Sequence, residues 1–134
     1  MSEDTFRNTI TLTDAARMTG PSVFNIMIKP CGSVCNLDCR YCYYLDKASL
    51  YGGHEPKMSD ELLEKVIKDY AESVDMPEIT FNWHGGEPLV AGIDFYRKAV
   101  ELERKYCGDK LINNTLQTNG TLVDSRWADF FAEN

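Results

Sequence analysis

Cys35-Asn-Leu-Asp-Cys39-Arg-Tyr-Cys42 sets three thiols on one short segment, separated by spacers of three and two residues. Thiolates are soft ligands that bind iron and zinc strongly, and three of them on one loop can wrap a compact metal cluster. Around a cubane of four irons they leave one iron with an open position, which a cluster that acts on a bound molecule requires. If Cys31 joins them, the set becomes four thiolates and the site closes into a zinc or electron-transfer centre. A second segment with chemical potential is His84-Gly-Gly-Glu-Pro88. Side-chain-free glycines let another group approach the backbone closely. Read alone, Gly85-Gly86 is most simply an ordinary tight turn whose interest lies in its pairing with the cysteine segment, and Glu87 either positions the loop or accepts a hydrogen bond.

These segments need a frame. Val23-Phe-Asn-Ile-Met-Ile-Lys29 is a short apolar run rich in branched side chains between Pro21 and Pro30, which predicts a buried first strand leading straight into the cysteines. Ser59 predicts a helix cap, with Asp60 and Glu61 favourable at the positive end of the dipole. The inward stripe of that helix reads Leu62, Leu63, Val66, Ile67, Tyr70 and Val74, and Pro77 stops it. Ile79, Phe81 and Trp83 alternate with Thr80 and Asn82 as a second strand that runs into the Gly-Gly-Glu segment. A second helix from about Asp94 to Cys107 buries Phe95, Ala99, Leu102 and Tyr106, and Gly108 ends it. A third strand, Leu111 to about Gln117, meets the polar turn Thr118-Asn119-Gly120. Asp124 then caps a helix that shows Trp127, Phe130 and Phe131.

Three strands alternating with three helices predict an α/β fold with a parallel sheet. In such a sheet the loops leaving the strands' C-terminal ends share one edge, so the cysteine loop, the Gly-Gly-Glu loop and the Thr-Asn-Gly turn are expected to converge. Three parallel strands cannot close a barrel, and a parallel sheet needs cover on both faces. The sequence is therefore expected to be the leading part of a longer sheet that continues past Asn134. The polar residues 1–22, closing at Gly20-Pro21, are expected to form an N-terminal arm before a domain at 23–134.

Composition narrows the function classes. The chain has 134 residues, 14 basic and 21 acidic side chains, a net charge of -7 and 43% hydrophobic residues, which excludes global disorder. That charge gives a nucleic-acid or anionic membrane partner little to grip, so neither is expected. The longest uncharged apolar stretch, Val23 to Ile28, falls far below the roughly 20 residues of a bilayer span. The N-terminus lacks the basic and apolar regions of a secretory signal. Four of the five cysteines crowd between Cys31 and Cys42, where disulfides would close strained small loops. A metal site in a reducing compartment fits better, and a cytoplasmic location is expected.

A strand followed by C-x3-C-x2-C with an aromatic before the last Cys, then Gly-Gly-Glu-Pro after the second strand, resembles the radical S-adenosylmethionine enzymes. Ile28-Lys-Pro, Cys42-Tyr-Tyr, Trp83-His-Gly-Gly-Glu-Pro and Leu116-Gln-Thr-Asn-Gly-Thr-Leu, followed by Trp127 and Phe130-Phe131, narrow the resemblance to the anaerobic sulfatase-maturating enzymes. It covers about residues 24 to 134. The resemblance implies a partial TIM barrel of the radical SAM type with only about the first three βα units present. It implies a 4Fe-4S cluster held by Cys35, Cys39 and Cys42, with S-adenosylmethionine completing the fourth iron. Tyr41 would contact adenine largely through its backbone, and Gly85, Gly86 and Glu87 would receive the methionyl ammonium, chiefly at Gly86. A 5'-deoxyadenosyl radical would take hydrogen from the β-carbon of a Cys or Ser in a sulfatase polypeptide, leading to formylglycine. An electron donor such as a ferredoxin or flavodoxin is implied as a second partner.

The sequence also departs from that family. Cys31 lies outside its ligand pattern and reads either as a buried thiol or as an intruding ligand. The family's acid-base residue and its auxiliary-cluster region have no counterpart here, so the catalytic residue is expected beyond this chain and the isolated chain is expected to be inactive. Another peptide-modifying radical enzyme and a four-Cys electron-transfer module are the rival functions. His84 and His54 receive no role from sequence. Tyr43 and Tyr44 fit substrate contact and loop packing equally well. Gln117 and Asn119 lie on the active edge, although Asn-Gly is also turn chemistry. Cys107 reads as structural.

Overall fold

The computed structural model describes residues 23–51 and 56–134. The expected N-terminal arm, residues 1–22, and His54 lie outside the described residues. Three parallel strands form one sheet in the order β1 (Ile26–Ile28), β2 (Glu78–Trp83) and β3 (Leu111–Leu116). Ile26 pairs with Phe81 and Ile28 with Trp83, while Glu78 pairs with Leu111 and Trp83 with Leu116. The connections carry α1 (Asp60–Ser73) and α2 (Ile93–Tyr106), and α3 (Ser125–Glu133) follows β3. This is the strand and helix alternation expected from the sequence, an open α/β sheet matching a partial barrel.

Two of the three helices start at the caps the sequence predicts, whereas α2 begins after Gly92 with no side-chain cap. The Ser59 side chain accepts from Leu62 N at 3.2 Å and the Asp124 carboxylate from Trp127 N at 3.1 Å, each such cap contributing about 1 kcal/mol. In α1 the buried stripe is Leu63, Ile67, Tyr70 and Ala71, with Val74 just beyond the last turn. Leu62 is 49% exposed, contrary to expectation, because the stripe that meets the sheet centres one residue later and Ala71 completes it. In α2 the expected Phe95, Ala99 and Leu102 are buried, Tyr106 is half-buried, and the sequence missed Tyr96 and Glu103. In α3 Trp127 and Phe130 are buried while Phe131 is exposed.

The core lies between the helices and one face of the sheet, where Ile79, Phe81 and Trp83 point. Tyr70 meets Phe81 edge-on at 5.3 Å, and Trp83 meets Phe95 and Tyr96 edge-on at 6.0 and 5.3 Å. The other face is polar. Asn82 Nδ2 donates to Ile26 O at 2.9 Å, and Thr115 Oγ1 donates to Asn82 Oδ1 at 2.8 Å. The expected seven-residue buried strand therefore shrinks to three residues, of which only Ile28 is buried. Alternation turns Met27 to the polar face, where it is 58% exposed.

One buried charge-bearing group sits on the helix side. Glu103 is 1% exposed and borders a cavity of about 200 Å³ lined by Trp83, Tyr96, Leu116 and Phe130. Its Oε2 accepts from Asn114 Nδ2 at 2.8 Å, and Asn114 Oδ1 accepts from Trp83 Nε1 at 2.7 Å. Among the described residues Oε1 meets no hydrogen-bond partner. Burial, only partly offset by the Asn114 amide, pushes the Glu103 carboxyl up to about 7.

Candidate functional site

β1 ends in a tight turn, Gly32 N donating to Lys29 O at 3.1 Å and Val34 N to Cys31 O at 3.0 Å. The turn separates the cysteines into two environments. Cys31 points inward at 5% exposure and joins the core, whereas Cys35, Cys39 and Cys42 follow on the loop, each half-buried. The Cys42 amide donates to Cys39 O at 2.8 Å, which curls the second half of the loop, and the Leu37 amide approaches Cys35 Sγ at 3.4 Å.

The loop after β2 is zipped to this turn. Beyond the last strand pair, His84 N donates to Ile28 O, Gly86 N to Gly32 O and Glu87 N to Val34 O, at 2.9, 3.0 and 2.8 Å. Both glycines are demanded by that approach. A Cβ on Gly86 would run into the carbonyl oxygens of Ser33 and Val34, and one on Gly85 would sit 2.7 Å from Gly32 O at a φ of +128°. Glu87 is fully buried, and its carboxylate is engaged inside the chain. Oε1 accepts from Leu89 N at 2.9 Å and Thr118 Oγ1 at 2.8 Å, and Oε2 accepts from Asn119 N at 2.8 Å. Glu87 thereby caps the short 3-10 helix Pro88–Ala91 and ties the second loop to the third.

The third loop closes the circuit. Asn119 Nδ2 donates to Asn36 Oδ1 at 3.0 Å and approaches Cys35 Sγ at 3.8 Å, while Asn36 Nδ2 donates to Thr121 Oγ1 at 2.8 Å. The three segments expected to share one edge are thus in mutual contact. Asn119 belongs to the cysteine loop's surroundings as well as to its own turn. Gln117 is exposed at the rim, its backbone N held by Trp83 O at 3.0 Å.

The tyrosines divide. Tyr41 is 92% exposed and Tyr43 65%, while Tyr44 is buried with its ring 4.2 Å from that of Tyr43 and the Lys29 ammonium 5.1 Å above it. The hydrogen-bonding Tyr44 hydroxyl holds the Tyr43 phenol above its ordinary value. The Tyr44 hydroxyl lies 3.3 Å from His84 Nδ1, and the Gly85 amide lies 2.6 Å from the same nitrogen. His84, given no role from sequence, lines a depression of about 450 Å³ on the polar sheet face with Asn25, Met27, Asn82, Thr115 and Gln117. The signal that sequence offered was its place one residue before the glycines. Cys107 is buried at the end of α2, and desolvation pushes its thiol up to about 11, as a structural thiol requires.

The donor set discriminates between metal groups. Four thiolates on one zinc would lie about 3.8 Å apart, given Zn–S bonds of about 2.3 Å in a tetrahedron. Among the described residues no group of three His, Cys, Asp or Glu side chains is arranged to hold a single ion. Cys31, the necessary fourth ligand, is packed into the core. Three half-buried thiols then remain on the loop, the number that would leave one iron of a four-iron cluster without a protein ligand.

Residues 30–134 match the family model of the radical SAM superfamily. The chain is 55% identical over 111 residues to the serine-type anaerobic sulfatase-maturating enzyme of Bacteroides thetaiotaomicron, covering 81% of this chain and 27% of that protein. It is 43% identical over 115 residues to the cysteine-type enzyme of Clostridium perfringens, covering 82% and 30%. The solved structure described as native anSMEcpe with bound AdoMet and Kp18Cys peptide superposes with a TM-score of 0.74 at 40% identity, over 82% of this chain and 29% of that one. The chain spans less than a third of the length of these relatives.

Proposed function

The chain belongs to the radical SAM superfamily, and from that premise we propose that it carries the cluster-binding and cofactor-binding part of a sulfatase-maturating oxidoreductase. The carrying observation is the interlock of three loops around three available thiols while Cys31 is withdrawn into the core. Cys35, Cys39 and Cys42 hold a 4Fe-4S cluster. When bound, the cluster and S-adenosylmethionine supply a 5'-deoxyadenosyl radical that takes hydrogen from a Cys or Ser β-carbon of a sulfatase polypeptide on the way to formylglycine.

The chain's own residues position and shield. Gly85 and Gly86, kept bare by the approach of the cysteine turn, receive the ammonium of the methionyl group on their backbone. Glu87 serves that contact from behind, its carboxylate fixing the loop through Leu89 and the Thr118-Asn119 turn. Tyr41 meets adenine through its backbone. The 4Fe-4S ligand set belongs to a reducing compartment, the cytoplasm, with a ferredoxin or flavodoxin as electron donor. Among the described residues no helix is long and apolar enough to cross a membrane.

The test is anaerobic loading with iron and sulfide, then electron paramagnetic resonance of the reduced chain with and without S-adenosylmethionine. A cofactor-dependent change in the cluster signal is expected, because an open iron takes a new ligand. An unchanged signal overturns the proposal.

A further inference from the structure

We propose that His84 is a substrate-positioning residue, held as the Nε2–H tautomer and presenting that N–H to a carbonyl oxygen of the polypeptide substrate in the depression beside the cofactor loops. This rests on the proposed peptide-modifying function and adds a residue to it.

The tautomer follows from two donors that converge on one nitrogen. The Gly85 backbone N–H is an obligatory donor whose direction is set by the chain, and it reaches Nδ1 at 2.6 Å. Nδ1 must therefore be the acceptor, and a neutral imidazole that accepts at Nδ1 carries its proton on Nε2. Ring nitrogens are ordinarily assigned by optimising a network, but here an N–H that cannot rotate makes the assignment. The Tyr44 hydroxyl, 3.3 Å from Nδ1, is a second donor to the same side. Tyr44 follows Cys42 by two residues and His84 precedes Gly85, so this ring is tied to the cysteine loop and to the glycine loop at once.

The opposite edge of the ring is unspent. Among the described residues no hydrogen-bond partner meets Nε2. Of the polar groups that line the depression with His84, the Asn82 amide is spent on Ile26 O and Thr115 Oγ1 donates to Asn82. His84 is anchored by its own backbone bond to Ile28 O at 2.9 Å and by the Tyr44 ring at 6.1 Å, so the Nε2–H is a donor in a fixed place. A neutral, fixed N–H suits a peptide carbonyl, which needs one donor and brings no charge into the site.

The test has two arms. In the oxidised, cluster-loaded chain labelled with nitrogen-15 histidine, the His84 ring is expected to show a protonated Nε2 and a bare Nδ1. A protonated Nδ1 overturns the proposal. In the second arm, binding of a sulfatase-derived Cys or Ser peptide is measured with S-adenosylmethionine present. His84→Asn, too short to place an N–H at the Nε2 position, is expected to weaken binding about 3- to 10-fold, the worth of one neutral hydrogen bond. His84→Gln, whose terminal amide puts an N–H there, is expected to stay within about twofold of the parent. Equal binding by parent and His84→Asn, no rescue by His84→Gln, or no peptide binding by the parent overturns the proposal. Loss of the underlying function is separable, because it appears as a cluster signal indifferent to S-adenosylmethionine while the nitrogen assignment stands.

Discussion

Replacing Glu103 by Gln should stabilise the protein, and only at pH above the ordinary carboxylate range. Trp83 Nε1 is a donor and nothing else, so it fixes Asn114 Oδ1 toward itself and leaves Nδ2 facing Glu103. A Gln at 103 accepts from that amide as well as Glu does, so the one retained bond survives. The change lies at Oε1, which is buried without a partner among the described residues and cannot be charged cheaply. The folded-state value of about 7 lies above the ordinary 4.5, so the folded state keeps its proton while the unfolded chain loses one. The stabilising contribution is complete below pH 4.5 and is lost as pH rises to about 7. At 1.36 kcal/mol for each pH unit, the loss levels off at about 3 kcal/mol. The carboxyl is 1% exposed, so solvent screening takes little from that figure. Urea unfolding of the two variants side by side isolates it, since every other titrating group is common to both. With a urea slope of about 2 kcal/mol per molar, the midpoints should be close at pH 4 and about 1.5 M apart, Gln higher, at pH 8. A gap between the variants that does not change with pH would refute the claim that the buried carboxyl is the titrating group.

Gly86→Ala should separate the second loop from the cysteine turn, because its methyl group would enter the carbonyl oxygens of Ser33 and Val34. With two hydrogen bonds at stake and overpacking against backbone, the loss is about 3 kcal/mol, read as a lower urea midpoint together with weaker S-adenosylmethionine binding. Glu87→Gln should cost about 1–3 kcal/mol in the same unfolding measurement, since an amide that keeps Leu89 N and Thr118 as donors turns its own N–H toward the Asn119 amide. Cys31→Ala should lower stability by about 1 kcal/mol through lost packing and leave iron content per chain unchanged, whereas Cys35→Ala should abolish cluster loading.

Much of the frame was legible because its signals are local. Helix caps act within three residues, and the apolar periods of α1, β2 and α2 report directly on a covered face, so element order and sheet type followed from spacing. The thiol spacing and the glycine pair were equally plain, being constraints on one loop each. Where periodicity misled, the cause was a boundary. Leu62 sits one residue off the stripe that meets the sheet, and the apolar run from Val23 has only Ile28 buried, because among the described residues no helix packs on the opposite face of β1.

What the tertiary structure decided is what depends on partners far along the chain. Cys31 differs from Cys35 by burial and not by residue type, and only the packed core reveals it. Glu87 looks like a ligand contact in sequence, yet its oxygens are taken by groups up to 32 residues away. Glu103 appears as one more charge on an amphipathic helix until β3 brings Asn114 against it. His84 is tied to the cysteine loop only when Tyr44, 40 residues earlier, arrives beside its ring. The sequence by itself determined which atoms are available for chemistry and the order of the elements that carry them, since both are properties of short segments. The three-dimensional packing decided which of those atoms are spent on the fold and which are left for a ligand, because a hydrogen bond or a buried contact is a property of two places in the chain at once.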